Sequence, residues 1–264
     1  MTQHAHSCRY SGGVRRAERL NRILDRVAVD GAVAVADLAG DLGVSEATVR
    51  RDLQALTRDR LLVRTHGGAL AREEREEVPS RLKAARRQQE KRSIGHAAAG
   101  LVPDGAVVGM SGGTTALEVA RALEERRDLT VVTNAIDIAA ELAGRSDLHL
   151  ISVGGIVRRS LEAVGPAAEE MLGRYHLDVV FVGVDGLTPD AGCTTFDEME
   201  AQTDRAFLER ARRRVVIADA SKLGVVTFAR IADLDEVTDL VTDASADPEQ
   251  VAALERAGLR VLLA

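Results

Sequence analysis

The sequence contains no tryptophan, and aromatic residues make up 2% of its 264 positions. Base stacking on aromatic platforms, the usual basis of single-strand and RNA recognition, is therefore poorly supplied. Cysteine is scarce as well: Cys8 and Cys193 stand far apart and read neither as a disulfide framework nor as a zinc site, as expected of a chain kept in a reducing cytoplasm. His4, His6 and Cys8 have no matching second ligand pair, so no metal is expected. No run approaches the roughly 18 apolar residues of a membrane helix, and no apolar stretch follows the N-terminus as in a secretory signal. The expectation is a cytoplasmic protein with no membrane partner. What is present is 45% apolar and 29% charged residue, enough for a sizeable core without crosslinks. At roughly 100–200 residues per domain, the length allows one large domain or two smaller ones.

The net charge of −6 argues against a nucleic-acid partner until it is divided. Residues 1–93 hold 19 Lys+Arg and 13 Asp+Glu, a balance of +6. Residues 94–264 then hold 16 basic (35 less 19) and 28 acidic (41 less 13) residues, a balance of −12. A basic third joined to an acidic remainder implies two modules with different partners.

Residues 1–13 show no periodicity, end in Ser-Gly-Gly and read as a disordered leader. Leu20, Ile23, Leu24 and Val27 then form one apolar stripe of a helix over 14–29. A short helix over 35–42 carries Val35, Leu38 and Leu42 on one face and stops at Gly43, and Ser45 caps a third helix with Glu46 in its first turn. Two short helices about a tight glycine turn make a helix-turn-helix. At 100° per residue, Val49, Leu53 and Leu56 of the third helix face the core, while Ala47 and Arg51 point away, flanked by Thr48, Arg50 and Gln54. Small residues near the helix start permit close approach to a groove, and arginines bind guanine edges or phosphates. The same face also fits an ordinary solvated helix surface. Leu61–Thr65, the turn His66-Gly67-Gly68 and Ala69-Leu70 predict a hairpin, the wing of a winged helix, with Arg64, Thr65 and His66 placed to touch the DNA backbone or minor groove.

The run Val44-Ser45-Glu46-Ala47-Thr48-Val49-Arg50-Arg51-Asp52-Leu53, followed by Arg64-Thr65-His66-Gly67-Gly68-Ala69, resembles the DNA-binding domain of the DeoR family of bacterial transcription regulators. The resemblance places the helix-turn-helix over about 33–52. Ser45, Ala47, Thr48, Arg50, Arg51, Arg64, Thr65 and His66 are the DNA-reading candidates, and winged helix-turn-helix modules on two-fold sites imply a homo-oligomer, a dimer or higher. Residues 71–93 are a charged linker, a solvated helix by default, from which Arg81, Lys83, Arg86 or Arg87 could reach a DNA backbone.

From 104 onward, buried β-rich runs alternate with amphipathic helices: strands at 106–110, 129–132, 148–153, 179–184, 215–218, 240–241 and 259–263, and helices near 115–126, 136–143, 166–174, 198–212 and 248–257. This pattern predicts a mostly parallel sheet, a Rossmann-like α/β domain over 94–264, with its chemistry in the loops after strands. The clearest such loop is Ser111-Gly112-Gly113-Thr114-Thr115. Its glycines admit an anion to the backbone, the following helix start supplies free N–H groups, and the hydroxyls add donors. A tight capped turn has the same composition, and with neither GxGxxG nor a P-loop lysine the loop does not read as a nucleotide site. Lys222, just past a strand end, could meet a phosphate or hold Asp219 or Glu200.

The segments 111–115, 133–134, 154–155, 164–165, 178–186, 200–206 and 219–222 resemble the DeoR sensor domain in order and spacing, so the likeness covers about 15–264. That domain is similar to the ribose-phosphate isomerase and glucosamine-phosphate deaminase fold and senses phosphorylated sugars. The resemblance implies that Gly113, Thr114 and Thr115 hold the phosphate, with Asn134, Asp185, Glu200 and Lys222 around the sugar; Ser111 and Gly112 complete the candidate set. Two positions depart from the commoner pattern: Ser111 stands where many members have Asp, and Asp204 where many have Lys. The function implied is a sequence-specific regulator, a repressor of a carbohydrate operon released from its double-stranded operator by a phosphorylated sugar, with no cofactor and no catalytic residue. The alternative is a sugar-phosphate isomerase or deaminase with an accessory DNA-binding domain, for which Asp185, Glu200 and Asp219 are the acid/base candidates.

Overall fold

The apolar stripe of the first helical stretch closes the first of two compact units, Met1–Glu76 and Glu77–Ala264. A computed structural model describes residues 16–30, 32–58, 61–65, 67–71, 83 and 87–264. The leader, His66, Arg81 and Arg86 lie outside the described residues.

In the first unit, α1 (Arg16–Asp30), β1 (Ala32–Ala34), α2 (Val35–Leu42), α3 (Glu46–Arg58), β2 (Leu62–Arg64) and β3 (Gly68–Ala71) follow in order. Ile23, Leu38, Val49, Leu53 and Leu56 are at most 1% exposed and form the centre of the core. Each such side chain contributes about 1.5–3 kcal/mol by its burial. Gly43 ends α2 in a left-handed conformation, φ 61°, which sets the turn into α3. Ser45 caps α3 through its hydroxyl, which accepts from Thr48 N at 3.3 Å. β2 and β3 form the expected hairpin, and β1, which the sequence reading left unassigned, joins it antiparallel to β3. Three residues, Ala-Val-Ala, are too few to show strand alternation.

The second unit includes α4 (Gln88–Ala99). Then come β4 (Val107–Met110), α5 (Thr114–Ala122), β5 (Leu129–Thr133), α6 (Ile136–Leu142), β6 (Leu148–Ser152), the hairpin β7 (Ile156–Val157) and β8 (Ala163–Val164), α7 (Pro166–Leu172) and β9 (Leu177–Gly183). β10 (Gly186–Thr188), β11 (Gly192–Thr195), α8 (Glu198–Glu209), β12 (Ala211–Ile217), β13 (Ala229–Ala232), β14 (Asp239–Thr242), α9 (Pro248–Arg256) and β15 (Arg260–Leu263) complete it. The expected helix over 198–212 is corrected: it stops at Glu209, and Ala211–Ile217 is a strand paired with β9 and β14. Its arginines disguise it, because Arg213 is drawn to Asp239 of the neighbouring strand at 2.8 Å.

Seven strands form one parallel sheet in the order β15-β14-β12-β9-β4-β5-β6. Alternate residues of β9 enter opposite cores, Val180 and Val182 one, Val179 and Phe181 the other. A strand buried on both faces therefore reads as a continuous apolar run. Helices α4, α5 and α6 cover one face, α7, α8 and α9 the other. Chain order reverses between β4 and β9, the switch point where sheets of this kind bind ligands beyond their carboxyl ends. A small antiparallel sheet, β10-β11-β13, starts directly beyond that point. Among the described residues, no helix is long and apolar enough to cross a membrane.

Candidate functional site

The outward face of α3 carries the residues expected there. Ser45, Ala47, Arg50, Arg51 and Gln54 are exposed and Thr48 is half-buried, while Val49, Leu53 and Leu56 are buried. Arg50 pairs with Glu46 one turn earlier at 2.8 Å, an exposed pair of small energetic weight. Arg64 and Thr65 are exposed on the wing. One residue of this helix escaped the sequence reading. Asp52 is 2% exposed and turns inward, where Arg19 of α1 donates to it at 2.5 and 3.3 Å, with Arg16 at 3.8 Å. A carboxylate that follows two arginines in sequence gives no sign that its partner lies on another helix.

In the second unit the switch point gathers most of the remaining candidates. Ser111 is 1% exposed; its N–H donates to Phe181 O at 3.0 Å and its Oγ accepts from Gly183 N at 3.3 Å, joining the ends of β4 and β9. Gly112 is buried, and a Cβ there would fall 2.3 Å from Glu162 Oε1, so the anion to which this glycine gives room is the chain's own Glu162. Gly113 adopts φ 113°, a conformation open to glycine, and leads into α5, whose first residue Thr114 is 9% exposed; Thr115 is half-buried. The first N–H groups of a helix have no partner within it, so this start offers anion-binding capacity.

Asn134, at the end of β5, is 1% exposed; its Nδ2 donates to Ala163 O at 3.1 Å and its Oδ1 has no partner among the described residues. Asp185, just past β9, accepts from Lys222 at 2.9 Å, from Lys83 at 3.4 Å on both oxygens and from Thr195 at 3.4 Å. Burial alone would push this carboxyl up; the ammoniums of Lys83 and Lys222 reverse the effect and hold it below the ordinary carboxylate range. Thr195 also donates to Glu200 at 2.6 Å, and Glu200 is paired in turn with Arg158. Thus Asp185, Glu200 and Lys222 form one network. Lys222 holds Asp185, not the Asp219 or Glu200 considered from the sequence.

Ser111 and Asp204, the two positions set apart in the sequence, interact: the Ser111 hydroxyl favours the charged form of Asp204 on α8, whose Oδ1 is buried without a hydrogen-bond partner among the described residues. Asp204 is 2% exposed; burial and the neighbouring Glu200 push its carboxyl well above the ordinary range, against the pull of Ser111 and Arg158. The sequence reading missed Arg158, Glu162 and Thr195, which lie on short strands or turns that sequence patterns do not reveal. It also offered Lys83 and Arg87 to a DNA backbone. That expectation is corrected: Lys83 pairs with Asp185, and Arg87 lies 3.7 Å from Asp219 and 3.6 Å from Asp243, all within the second unit. Cys193 is a core thiol pushed up to about 12, chiefly by burial. The described residues contain no cluster of ligands able to hold a metal.

A winged helix-turn-helix with an exposed recognition face, followed by an α/β unit with a polar switch point, defines a DNA-binding transcription regulator with a sensor domain. The DeoR-like helix-turn-helix domain matches residues 19–75, and the DeoR C terminal sensor domain matches residues 86–244. The chain belongs to the DeoR family. It is 36% identical over 249 residues to the HTH-type transcriptional regulator GlpR of Haloferax volcanii, covering 93% of this chain and 97% of that one. It is 31% identical over 232 residues to the glycerol-3-phosphate regulon repressor of Escherichia coli K12, covering 88% and 92%. Among solved structures, ribose 5-phosphate isomerase A of Methanocaldococcus jannaschii is similar with a TM-score of 0.38 and 22% identity, covering 51% of this chain and 54% of that one.

Proposed function

We propose that this regulator is a repressor of carbohydrate-metabolism genes, released from its operator by a phosphorylated sugar bound at the switch point of the sensor sheet. The observation that carries this reading is the meeting of a glycine-led helix start, Gly113-Thr114-Thr115, with the Lys222–Asp185–Thr195–Glu200 network beyond adjacent strands. The helix start suits a phosphate, and the acids and Asn134 suit sugar hydroxyls. The name of the Escherichia coli relative, a repressor of a glycerol-3-phosphate regulon, supports a phosphorylated effector and a repressor's sign. In this reading Ser45, Ala47, Thr48, Arg50, Arg51, Arg64, Thr65 and His66 meet the DNA. The protein acts in the cytoplasm as a homo-oligomer matched to a two-fold site and needs no cofactor. The isomerase or deaminase alternative has less support, because two of its candidate acids are bound to cations: Asp185 to two lysines and Glu200 to Arg158. The third, Asp219, caps its own turn through Ser221 N.

A thermal-shift screen of phosphorylated sugars against their unphosphorylated parents tests the reading. One phosphorylated sugar is expected to raise Tm while its parent does not. Equal stabilisation by both would remove the phosphate from the site.

A further inference from the structure

Three acids follow three neighbouring parallel strands at their carboxyl ends: Asp185 after β9, Asp219 after β12 and Asp243 after β14. Cations from the start of the sensor unit reach all three. Lys83 Nζ lies 3.4 Å from each oxygen of Asp185. Arg87 lies 3.7 Å from Asp219 and 3.6 Å from Asp243, and donates to Ser245 Oγ at 2.6 Å. Lys91 of α4, 5% exposed, donates to the Lys83 carbonyl at 2.6 Å and so fixes the backbone that carries the Lys83 ammonium. Arg87 holds a left-handed backbone, φ 48°, which a non-glycine residue keeps only where its surroundings fix it. Lys83, Arg87 and Lys91 are thus docked, one after another, along the edge of the sheet where the candidate site opens. Chain connectivity makes the same residues the first described part of the sensor unit after the DNA-binding unit.

We propose that Lys83 is a positioning residue of the effector site, and that its ion pair with Asp185 links occupancy by an anionic sugar to the segment that leads back to the DNA-binding unit. The inference rests on the reading of this sheet edge as the effector site. With Lys83 and Lys222 both on Asp185, two ammoniums face one carboxylate and the group carries one net positive charge. With Lys83 withdrawn it carries none. A phosphate ester therefore binds the docked arrangement more tightly than the undocked one. Linkage is reciprocal, so the same difference in affinity makes the bound phosphate hold Lys83 in place. A ligand that meets both arrangements equally shifts nothing, which excludes neutral sugars from the coupling. Lys83 acts through Asp185 and not by touching DNA.

The test uses the full-length chain, a DNA duplex selected in vitro by the wild-type protein, and inorganic phosphate as the probe, with sulfate at equal ionic strength as control. Lys83→Met is expected to weaken phosphate binding about tenfold, as one ion contact of about 1.4 kcal/mol implies. It should also abolish the phosphate-dependent change in operator affinity, and Lys83→Arg should restore both. In the absence of phosphate, Lys83→Met and Asp185→Asn should shift operator affinity in the same direction, and the double variant should do no more than the larger single one. A merely structural lysine would lower Tm without that pattern. If the wild type responds to phosphate and Lys83→Met responds equally, the proposal falls and the effector site stands. If the ligand-free effects simply add, the proposal falls whatever the ligand does. If the wild type ignores phosphate as it ignores sulfate, the effector-site reading falls and the proposal with it.

Discussion

The two units use charge in opposite ways. In the DNA-binding unit the described charged side chains of α3 lie on the surface except Asp52, which is tied to Arg19 of α1. In the sensor unit six acids go inward: Glu162, Asp185, Asp204, Asp219, Asp239 and Asp243 are all buried. The contrast follows from what each unit contacts. A phosphate backbone and base edges are read by an exposed helix that enters a groove, where charge must remain free to move. A small ligand is read by groups oriented before it arrives, and in a protein interior that requires each acid to have a cation or a hydrogen-bond donor. Net charge divides in the same sense: the first unit, residues 1–76, holds 13 basic and 11 acidic residues, a balance of +2, and the second, 77–264, holds 22 (35 less 13) and 30 (41 less 11), a balance of −8, so the acidic unit is repelled from DNA.

The sharpest way to break this comparison is at Asp52, the one buried acid among the described residues of the DNA-binding unit. Arg19→Met leaves Asp52 largely uncompensated and should destabilise that unit by about 3–5 kcal/mol. Urea unfolding followed by separate probes in the two units should show an early transition in the first and an unchanged one in the second. A single shifted transition would mean that the units do not unfold independently.

Replacing Thr114 and Thr115 together by Val removes two hydroxyls from the helix start in the sensor. Hydrogen bonds to a charged group are worth about 1.5–3 kcal/mol each, so response to the phosphorylated effector should fall at least tenfold. Operator affinity without effector should not change, since neither side chain belongs to the DNA-binding unit or to the Lys83–Asp185 pair. On the other side, Arg51→Ala should weaken operator binding by about 1–3 kcal/mol if Arg51 reads a base, and it should leave effector-induced stabilisation as it was. Equal affinity for operator and scrambled duplex after that change would identify Arg51 as the source of specificity. Unchanged affinity for both would remove it from the interface.

The units also differ in how much of them was legible. The core of the first could be read from α1, α2 and α3 because amphipathic helices place apolar residues three and four apart, and every apolar position so assigned is buried. The central parallel strands β4, β5, β9 and β14 were legible for a related reason: buried on both faces, they stand out as apolar runs, whereas the arginines of β12 hid its first half. β7, β8, β10, β11 and β13 were not, since two to four residues such as Gly-Cys-Thr-Thr show no alternation and owe their pairing to distant partners. That gap explains what was missed at the site. Arg158 and Glu162 lie in the turn between β7 and β8 and Thr195 ends β11, so the residues that organise Glu200, Gly112 and Asp185 sit on elements without a sequence signal. The loops directly after long strands, Ser111–Thr115, Asn134 and Asp185, were legible because topology fixes where a parallel sheet binds.

The smallest expected effect separates two acids within the sensor itself. Asp185 has its carboxyl lowered by Lys83 and Lys222; it therefore adds stability that is present above the ordinary carboxylate pKa of about 4 and is lost as pH falls through its lowered value. Asp204 has the opposite sign. Its carboxyl is raised by burial and by Glu200, so the folded state binds its proton more tightly than the unfolded chain does. Its contribution is most favourable below the ordinary carboxylate range, declines as pH rises through the window up to its raised value, and stays lost above it. Asp204→Asn keeps the shape of the side chain and removes the titration, so it should raise Tm at pH 8 relative to wild type, with the gain shrinking to nothing as pH falls below about 4. Asp185→Asn should lower Tm at pH 8, and its deficit should likewise shrink in acid. Tm measured from pH 3 to 8 on both variants decides the matter. Two curves of the same sign would mean that Asp204 is held in its charged form as Asp185 is, and that burial and Glu200 do not raise its carboxyl.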